Sequence, residues 1–276
     1  MVTQSAKSAG NLKPVDPIWS QVRQEAKEAV NNDPLLAAFL YSTVLNHDSL
    51  EEAVVHRVAE RLDHPDLGAD LIRQTYAVMM REDPSFSESL RVDIQAVFDR
   101  DPACTRYIQP VLYFKGFHAI QTHRLAHWLW KQGREDFALY LQSRSSAVFQ
   151  TDINPATRIG KGIFLDHATG LVVGATAVID DDVSILQGVT LGGTGKETGD
   201  RHPKIDDGVL IGAGATVLGN IRIGKCSRIA AGSMVIKEVE GNVTVAGVPA
   251  RVVGVAGCSE PSRSMDQILA DRADAD

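Results

Sequence analysis

Cysteine, positive charge and long apolar runs are all scarce in this sequence, and each shortage excludes a class of protein. The 276 residues include three cysteines, Cys104, Cys226 and Cys258, whose wide spacing fits neither a disulfide framework nor a paired zinc motif. We expect three reduced thiols without a catalytic role. No stretch approaches the roughly 18 apolar residues of a membrane span, and the N-terminus lacks the apolar segment of a secretory signal. The sequence therefore predicts a cytoplasmic protein.

The charge balance is negative, with 28 Lys and Arg against 35 Asp and Glu and a formal net charge of -7. Nucleic acids and anionic membranes favour a clustered positive face, so neither is the expected main partner. A small molecule or another protein fits better. With 44% hydrophobic and 23% charged residues, the chain can bury one large core or two modest ones, and its composition is not typical of disorder.

The sequence pattern changes near residue 150. Before that point apolar residues recur at i, i+3, i+4 and i+7, and Asp-Pro, Ser or Asp often opens the run, as expected at the start of a helix. We therefore predict an all-α N-terminal part. The predicted helical stretches are 16–30, 33–46, 49–62, 69–83, 85–101 and one long stretch over 116–150.

After residue 150 the repeat length becomes six. Thirteen aliphatic positions keep this period with two interruptions, and the next residue is often Gly, Asp or Ala. Such a hexapeptide repeat is typical of a β-helix, in which three hexads form one triangular coil around an aliphatic interior. The sequence predicts four such coils. The thirteen positions are Ile153, Ile159, Leu165, Val173, Ile179, Ile185, Leu191, Ile205, Ile211, Val217, Ile223, Ile229 and Val235.

Each interruption of the repeat carries a histidine. The first widens one spacing from six residues to eight, at DHATG, which contains His167. The second widens another spacing to fourteen, around the polar, glycine-rich GGTGKETGDRHPK, which contains His202. No other histidine follows residue 127. Because both histidines lie where the scaffold tolerates extra residues, we predict that both are functional.

His167 stands next to Asp166, and this pair indicates acid–base chemistry. An imidazole titrates near neutral pH and a carboxylate can hold its tautomer, so His167 is a candidate general base. Arg201 can form a forked hydrogen bond to a substrate carboxylate. A further pair, His123 and His127, has the i, i+4 spacing of a metal site, but aromatic residues crowd the segment and favour helix packing instead. We predict no metal site.

Several motifs together resemble bacterial serine O-acetyltransferases over residues 17–255. They are RDPA at 100–103, DHATG, GGTGK, DRHPK and AGVPAR, whereas the hexapeptide repeat alone would indicate only the wider acyltransferase superfamily. The resemblance implies acetyl transfer from acetyl-CoA to the hydroxyl of L-serine, giving O-acetyl-L-serine and CoA in the first step of cysteine biosynthesis. It also implies a left-handed β-helix, and homotrimers that pair into a hexamer through their helical parts, with active sites between neighbouring β-helices.

The resemblance assigns the chemistry and the CoA contacts to particular residues. His167 would accept the proton of the serine hydroxyl as general base, and Asp152 would orient its imidazole, as the third member of a base-activated system does. CoA would lie in a groove between adjacent β-helices, bound mainly by backbone amides of small residues, with one arginine at a phosphate. The matching positions are Gly193, Ala213, Ala231, Thr244 and, for the phosphate, Arg251.

The resemblance also assigns the two ends of serine to charged partners. Asp101 and Asp166 would bind the ammonium group. Arg201 and His202 would bind the carboxylate, with His202 also near the developing oxyanion. An amino acid needs acidic partners at one end and cationic partners at the other, and this set offers both. L-cysteine differs from L-serine by a sulfur in place of an oxygen, so the same residues predict inhibition by cysteine that competes with serine.

Two features depart from the family pattern. Ala175 stands where the family commonly has Glu, which removes a carboxylate near the site. Family members often end in an isoleucine that docks into O-acetylserine sulfhydrylase, whereas this sequence ends at Asp276, which makes that partnership doubtful. We divide the chain into a helical oligomerisation domain (1–150), a β-helix acetyltransferase domain (151–255) and an acidic flexible tail (256–276).

Three other functions share the scaffold. Another hexapeptide O-acyltransferase, acting on a sugar or a different alcohol, would bind CoA but should lack the paired clamp of Asp101 with Arg201. A γ-type carbonic anhydrase needs three histidines on zinc, whereas the repeat region supplies two. A non-catalytic assembly subunit would have no reason to place histidines at both interruptions.

Overall fold

The computed structural model describes residues 16–195 and 198–269. Helices occupy the chain up to Phe149, and short strands follow from Thr151. None of the helices in these two ranges is long and apolar enough to cross a membrane. The C-terminal Asp276, which makes docking to a sulfhydrylase doubtful, lies outside the described residues.

The N-terminal part is all-helical, as the apolar spacing predicts. Side-chain caps start two of the helices, since Asp16 accepts hydrogen bonds from the N–H groups of Ile18 and Trp19 and Ser49 accepts one from Glu52. A short 3-10 turn (Pro34–Leu36) and a π-helical turn (Tyr41–Leu45) flank the second helix. The helices are α1 Pro17–Asn32, α2 Ala37–Leu40, α3 Leu50–Leu62, α4 Ala69–Glu82, α5 Ser85–Arg100, α6 Ile108–Leu112, α7 Lys115–Lys131 and α8 Glu135–Phe149.

The long helical stretch predicted over 116–150 is two helices. Gly133 adopts φ 73° between α7 and α8, a left-handed conformation that glycine enters without steric cost and that ends a helix. The two helices then pack against each other as a helical hairpin. The sequence pattern missed this break because apolar spacing continues on both sides of the glycine.

Short strands wind into a β-helix with three faces. The strands are β1 Thr151–Ile153, β2 Arg158–Ile159, β3 Phe164–Leu165, β4 Leu171–Val173, β5 Val178–Ile179, β6 Ser184–Ile185, β7 Thr190–Gly192, β8 Lys204–Ile205, β9 Leu210–Ile211, β10 Thr216–Leu218, β11 Arg222–Ile223, β12 Arg228–Ile229, β13 Met234–Val235, β14 Val243–Gly247 and β15 Ala250–Val255. One sheet has the order β1-β4-β7-β10-β13, the second β11-β8-β5-β2 and the third β15-β14-β12-β9-β6-β3, so each of the first four coils contributes one strand to each sheet. The strands pair in parallel except β15, which is antiparallel to β14.

The predicted interior of the β-helix is confirmed. The hexad positions line its core, and all but the half-buried Ile159 are buried. The number of coils differs from the prediction, because a fifth coil follows the four that the repeat indicates. In this last coil Val239 bridges to Ile223 and Val245, on β14, is buried, but their spacing from Val235 no longer follows the period of six.

Both interruptions leave the strand ladder intact. Ile153 pairs with Val173 across the first interruption, and Leu191 pairs with Val217 across the second. The extra residues therefore leave the coil at its corners and return in register. Because the sheets meet at three corners, the extra residues form features on the edges of a rigid prism.

Two of the three edges each carry one of the histidines after residue 127, and we call them the His167 edge and the His202 edge. The His167 edge joins the third sheet to the first and comprises residues 166–170, 186–189, 212–215 and 230–233. The His202 edge joins the first sheet to the second and comprises residues 154–157, 174–177, 193–195, 198–203 and 219–221. The remaining edge contacts the helical part, where buried Arg100 donates to the Gly162 carbonyl at 2.9 Å and to Asp182 at 2.7 Å.

Part of the expected C-terminal tail makes contacts with the rest of the chain. A short helix α9, Pro261–Ser264, packs on α5. The Ser184 hydroxyl donates to the Ser262 carbonyl at 2.8 Å, and Arg228 donates to the Asp266 carbonyl at 2.8 Å. Residues up to Asp266 thus lie against the β-helix, and the expectation of a flexible segment stays a prediction for residues 270–276, which lie outside the described ranges.

Candidate active site

His167 projects from a tight turn on its edge of the prism. His167 and Ala168 both adopt left-handed backbone angles, with φ 53° and 57°. The turn is closed by the Thr169 N–H, which donates to the His167 carbonyl at 2.8 Å, and the Gly170 N–H donates to the Gln150 carbonyl at 2.8 Å. Two successive non-glycine residues in this region are a strained arrangement that concentrates at functional sites. The imidazole is 76% exposed.

Two carboxylates lie beside this imidazole. An oxygen of Asp166 is 3.7 Å from His167 Nε2. Asp101, at the C-terminal end of α5, lines the same pocket of about 540 Å³. Burial raises the pKa of Asp166, His167 opposes this rise, and Asp101 adds to it. The fold therefore brings together three residues that the sequence analysis selected, from segments about 65 positions apart.

A lysine that the sequence analysis did not select also lines this pocket. Lys115 Nζ donates to Gln150 Oε1 at 3.0 Å and to the hydroxyl of Thr169. Partial burial lowers the pKa of Lys115, and Arg61 lowers it further. Its partners are 35 and 54 residues away in sequence, so no local pattern signals this contact.

Asp152 lies on the neighbouring coil, next to the His167 edge. Its Cα pairs with Val172 in the first sheet, and its carboxylate accepts a hydrogen bond from Gln142 of α8. Within the described parts of the chain no hydrogen bond joins Asp152 to His167. The orienting role implied for Asp152 stays a prediction.

His202 is buried on the His202 edge of the prism. It is 6% exposed, and its Nδ1 lies 3.2 Å from the Thr176 N–H nitrogen and 2.8 Å from the Thr176 hydroxyl. A Cβ placed on Gly174 would lie 2.0 Å from the imidazole, so only glycine leaves room for the ring. Burial lowers the pKa of His202, and the cationic Arg201 and Lys204 lower it further while Asp200 opposes them. The ring is therefore neutral near pH 7 and available as a hydrogen-bond donor.

Arg201 is held by its backbone next to this histidine. Its N–H donates to the Thr176 hydroxyl at 3.0 Å, and its side chain runs along Gly193, where an added Cβ would be 3.1 Å from Arg201 Cδ. Among residues 16–195 and 198–269 no acidic side chain forms an ion pair with this guanidinium. It is therefore available to an anionic ligand.

The two clusters lie at opposite edges of the first sheet. β4 starts at the His167 edge and ends at the His202 edge, and a three-residue strand spans about 10 Å. No hydrogen bond or ion pair links His167 with Arg201 or His202 in the described ranges. Each edge of one chain thus carries only half of the predicted serine clamp.

The predicted CoA positions divide between the same two edges. Ala213 and Ala231 lie on successive coils of the His167 edge, where the Gly232 N–H donates to the Ala213 carbonyl. The N–H groups of these two alanines have no acceptor among the described residues, so they can bind a ligand carbonyl. Gly193 lies on the His202 edge beside Arg201.

The last two predicted CoA positions lie in the terminal hairpin. Thr244 is 1% exposed, and its hydroxyl donates to the Val255 carbonyl at 2.9 Å. Its side chain is therefore committed inside the protein, and only its backbone is left for the predicted contact. Arg251 is exposed and donates to the adjacent Ala250 carbonyl at 3.0 Å.

The two helical histidines pack between the helices and the β-helix, as the crowded segment predicts. His123 is buried and its Nε2 lies 3.1 Å from the Thr157 carbonyl, while His127 Nδ1 lies 2.8 Å from the Pro155 carbonyl. Across the part of the chain that the structure covers, no group of three or more His, Cys, Asp or Glu side chains is arranged to hold a metal ion.

The chain is similar to serine acetyltransferases in both sequence and structure. A family model described as serine acetyltransferase, N-terminal, matches residues 18–122, and one for bacterial transferase hexapeptide repeats matches residues 202–237. The curated serine acetyltransferase of Salmonella typhimurium is 52% identical over 91% of this chain and 92% of its own length. The crystal structure of serine acetyltransferase in complex with coenzyme A from Brucella abortus is 69% identical, with a TM-score of 0.89 over 90% of this chain and 100% of that chain. A serine acetyltransferase in complex with cysteine is 50% identical, with a TM-score of 0.89 over 92% of this chain and 98% of that chain.

Proposed function

The chain belongs to the serine acetyltransferase family, and from this premise we propose how its residues perform the reaction. The enzyme transfers the acetyl group of acetyl-CoA to the hydroxyl of L-serine, giving O-acetyl-L-serine and CoA. His167 is the general base, because it is exposed, stands on a strained turn of a rigid edge and lies beside two carboxylates. Asp152, on the adjacent coil, orients the imidazole once the site is complete.

The proposed step moves one proton and exchanges one bond. His167 takes the proton from the serine hydroxyl as the serine oxygen bonds to the thioester carbonyl carbon. The tetrahedral intermediate then loses the C–S bond, and the CoA sulfur leaves with the proton that the imidazolium returns. The reaction needs no oxidant, and acetyl-CoA is consumed as a co-substrate.

The charges around each cluster support the placement of serine. Asp101 and Asp166 face the ammonium group, which is the only cationic part of the substrate. Arg201 has no acidic partner within the described ranges and binds the carboxylate as a fork. His202, neutral and buried, donates a hydrogen bond to the carboxylate or to the oxyanion of the tetrahedral intermediate.

The active site is completed between two copies of the chain. The observation that carries this proposal is the position of the two residue pairs on opposite edges of one sheet. Asp101 and Asp166 lie at the His167 edge, whereas Arg201 and His202 lie at the other edge. The outward face between those edges exposes Val172 and Met234, 41% and 36% exposed, which suits burial against a second β-helix. Three copies placed in this way make a closed homotrimer in which every His167 edge meets a His202 edge. Two trimers pair through the helical domains into a hexamer.

CoA fits the groove between these two edges. The unbonded N–H groups of Ala213 and Ala231 come from one copy, and Gly193 comes from its neighbour. Thr244 contributes through its backbone, and Arg251 is exposed enough to reach a phosphate. The free N–H groups on successive coils support binding of the amide-rich arm of CoA.

Complementation between two inactive variants tests the shared site. His167→Ala and His202→Ala chains are each assayed for serine-dependent thiol release from acetyl-CoA, and then refolded together in equal amounts. If the site is shared, random mixing places both wild-type histidines in about one quarter of the sites, and activity returns to about that fraction. If both histidines act within one chain, the mixture stays inactive and the proposal of a shared site fails.

A matched control variant distinguishes loss of the general base from nonspecific damage to the protein. His64 belongs to the helical part of the chain, in the loop between α3 and α4, and its Nδ1 lies 3.1 Å from an oxygen of Asp66. His64→Ala is expected to keep full activity, whereas His167→Ala loses about 10²- to 10⁴-fold. Serine-dependent activity that persists in the His167→Ala protein would remove His167 as the base. Release with homoserine, threonine or a simple sugar, but not with serine, would overturn the serine clamp.

The same clamp binds L-cysteine, which carries the same ammonium and carboxylate groups as serine. We place the enzyme in the cytoplasm, which agrees with the three unpaired thiols of Cys104, Cys226 and Cys258. A complex with O-acetylserine sulfhydrylase is made doubtful by the terminal Asp276 and concerns the residues beyond 269. Mixing the two purified proteins and measuring their mass by light scattering tests it directly.

A further inference from the structure

Thr176 contacts two residues of the loop that carries the proposed carboxylate-binding residues, and the first residue of the strand β8 that follows it. It lies in the turn between β4 and β5, on the His202 edge. Its hydroxyl oxygen accepts the N–H of Arg201 at 3.0 Å and the N–H of His202 at 3.2 Å. Its carbonyl accepts Lys204 Nζ at 2.7 Å. One turn residue thus fixes the backbone of the loop where it returns to the coil.

The same threonine also fixes the imidazole. Its backbone N–H lies 3.2 Å from His202 Nδ1, and its hydroxyl oxygen lies 2.8 Å from that atom. The hydroxyl oxygen already accepts two N–H groups, so its own proton is available to His202 Nδ1 or to the Asp200 carboxylate, which also forms a hydrogen bond with Thr176. Because a backbone N–H can only donate, Nδ1 must be the acceptor. A neutral ring then carries its proton on Nε2.

We propose that Thr176 is a positioning residue that holds His202 as the Nε2–H tautomer and aims that proton at the substrate. The proposal deepens the function proposed above and rests on it, because it assumes that His202 faces the carboxylate or the oxyanion of the reacting serine. Nε2 has no hydrogen-bond partner among the described residues, so its proton is available to a ligand.

The surroundings of the ring support a neutral donor. Protonation of Nδ1 would turn the hydrogen bond from the Thr176 N–H into a repulsive contact, and the Thr176 hydroxyl would lose Nδ1 as an acceptor. Arg201, beside His202 in the loop, and Lys204, at the start of β8, oppose a further positive charge on the ring, while Asp200 favours it. Asp200 is itself paired with Lys204, which reduces its favourable effect. A neutral Nε2–H donor can stabilise an oxyanion without releasing its proton to the leaving group.

Nitrogen-15 NMR of the complete wild-type protein tests the tautomer directly. The ring resonances of His202, assigned by their absence from His202→Asn, should show a protonated Nε2 and an unprotonated Nδ1 between pH 6 and 8. An Nδ1–H tautomer would overturn the proposal. This measurement does not depend on activity, so it separates the tautomer from the proposed role in catalysis.

A pair of variants tests the hydroxyl. Thr176→Val keeps the shape of the side chain but removes the donor to Nδ1 and the acceptor of two N–H groups. Loss of one such hydrogen bond corresponds to about a tenfold effect, so KM for serine should rise by about that factor while KM for acetyl-CoA stays within about twofold. Thr176→Ser restores the hydroxyl and should restore KM for serine.

The outcomes distinguish this proposal from the function on which it rests. Unchanged tautomer and unchanged KM for serine in Thr176→Val would overturn the positioning role. A mixed tautomer with unchanged serine kinetics would keep the positioning role and remove His202 from the serine site. Melting followed by circular dichroism checks that each variant folds. If Thr176→Val does not fold, the wild-type tautomer and the Thr176→Ser kinetics decide.

Discussion

The buried carboxylate of Asp93, on α5, pairs with the guanidinium of Arg124, on α7, at 2.6 Å. The same carboxylate accepts the N–H groups of Gly162 at 2.9 Å and Ile163 at 3.1 Å. One fully buried aspartate therefore joins two helices to the edge of the β-helix that contacts the helical part. Asp101 follows the last residue of α5 and lines the pocket that contains His167. The contact of Asp93 therefore helps to fix the position of Asp101 relative to His167.

Removal of Asp93 should destabilise the whole protein. Asp93→Ala leaves the Arg124 charge and two backbone N–H groups without their partner, and breaking such a buried pair costs about 3–5 kcal/mol of unfolding free energy. Urea unfolding followed by circular dichroism measures the loss. The control is Asp99→Ala on the same helix, where the exposed carboxylate accepts a hydrogen bond from Gln95. This substitution should change stability by less than about 0.5 kcal/mol. Equal stability of the two variants would contradict the role of Asp93.

Gly174 should be required for activity because His202 occupies the space of its missing side chain. A Cβ at this position would lie 2.0 Å from the imidazole, so Gly174→Ala must displace the ring. A displacement of about 1 Å can cost about a hundredfold, and we expect that loss in kcat/KM for serine. Gly254→Ala is the control, since nothing lies within 4 Å of its added Cβ. Full activity of Gly174→Ala would show that the position of His202 is not critical.

As the pH falls, serine binding should begin to weaken at a higher pH than is usual for a site made of carboxylates. Burial, with a contribution from Asp101, raises the pKa of Asp166, so Asp166 loses its charge earlier as the pH falls. The ammonium group of serine then loses one partner, and the affinity decreases as the pH falls through this raised pKa. Serine affinity measured by calorimetry in His167→Ala isolates the effect from the titration of the base.

Asp101→Asn provides the second arm of this measurement. It removes a negative charge that raises the pKa of Asp166, so the loss of affinity should move to lower pH. The affinity at neutral pH should also decrease, because Asp101 is itself a proposed partner of the ammonium group. An unshifted pH profile would show that the two carboxylates do not interact.

L-cysteine should inhibit in competition with serine. It presents the same ammonium and carboxylate groups to Asp101, Asp166 and Arg201, with a thiol in place of the hydroxyl. Initial rates at several serine concentrations should show an increased KM for serine and an unchanged kcat. Arg201→Lys loses the forked hydrogen bond and should weaken serine and cysteine by similar factors. Absence of inhibition at millimolar cysteine would contradict a shared clamp.

The sequence predicted the repeat architecture because its signal is local and periodic. An aliphatic residue every six positions, such as Ile179, Ile185 and Leu191, is required wherever the chain turns around one apolar interior, and these side chains are buried. The failures came where periodicity carries no information. Gly133 divides a continuous apolar pattern into two helices, and the fifth coil lacks the regular spacing.

The candidate site was only partly predictable for a related reason. His167 and His202 interrupt the repeat, so their positions in the sequence mark them. Thr176, Gly174 and Lys115 carry no such mark, because each matters only through a partner brought near by folding. Their contacts span between 25 and 54 residues of sequence, and neighbouring residues give no sign of them.

The sequence by itself determined that helices precede a β-helix, that two histidines leave the repeat, and that the motifs are those of a serine acetyltransferase. Only the tertiary structure decided which residues share an edge. The reason is geometric: a prism with three edges separates residues that interrupt the same repeat at different corners. His167 and His202 therefore face different neighbours, although both interrupt one continuous pattern.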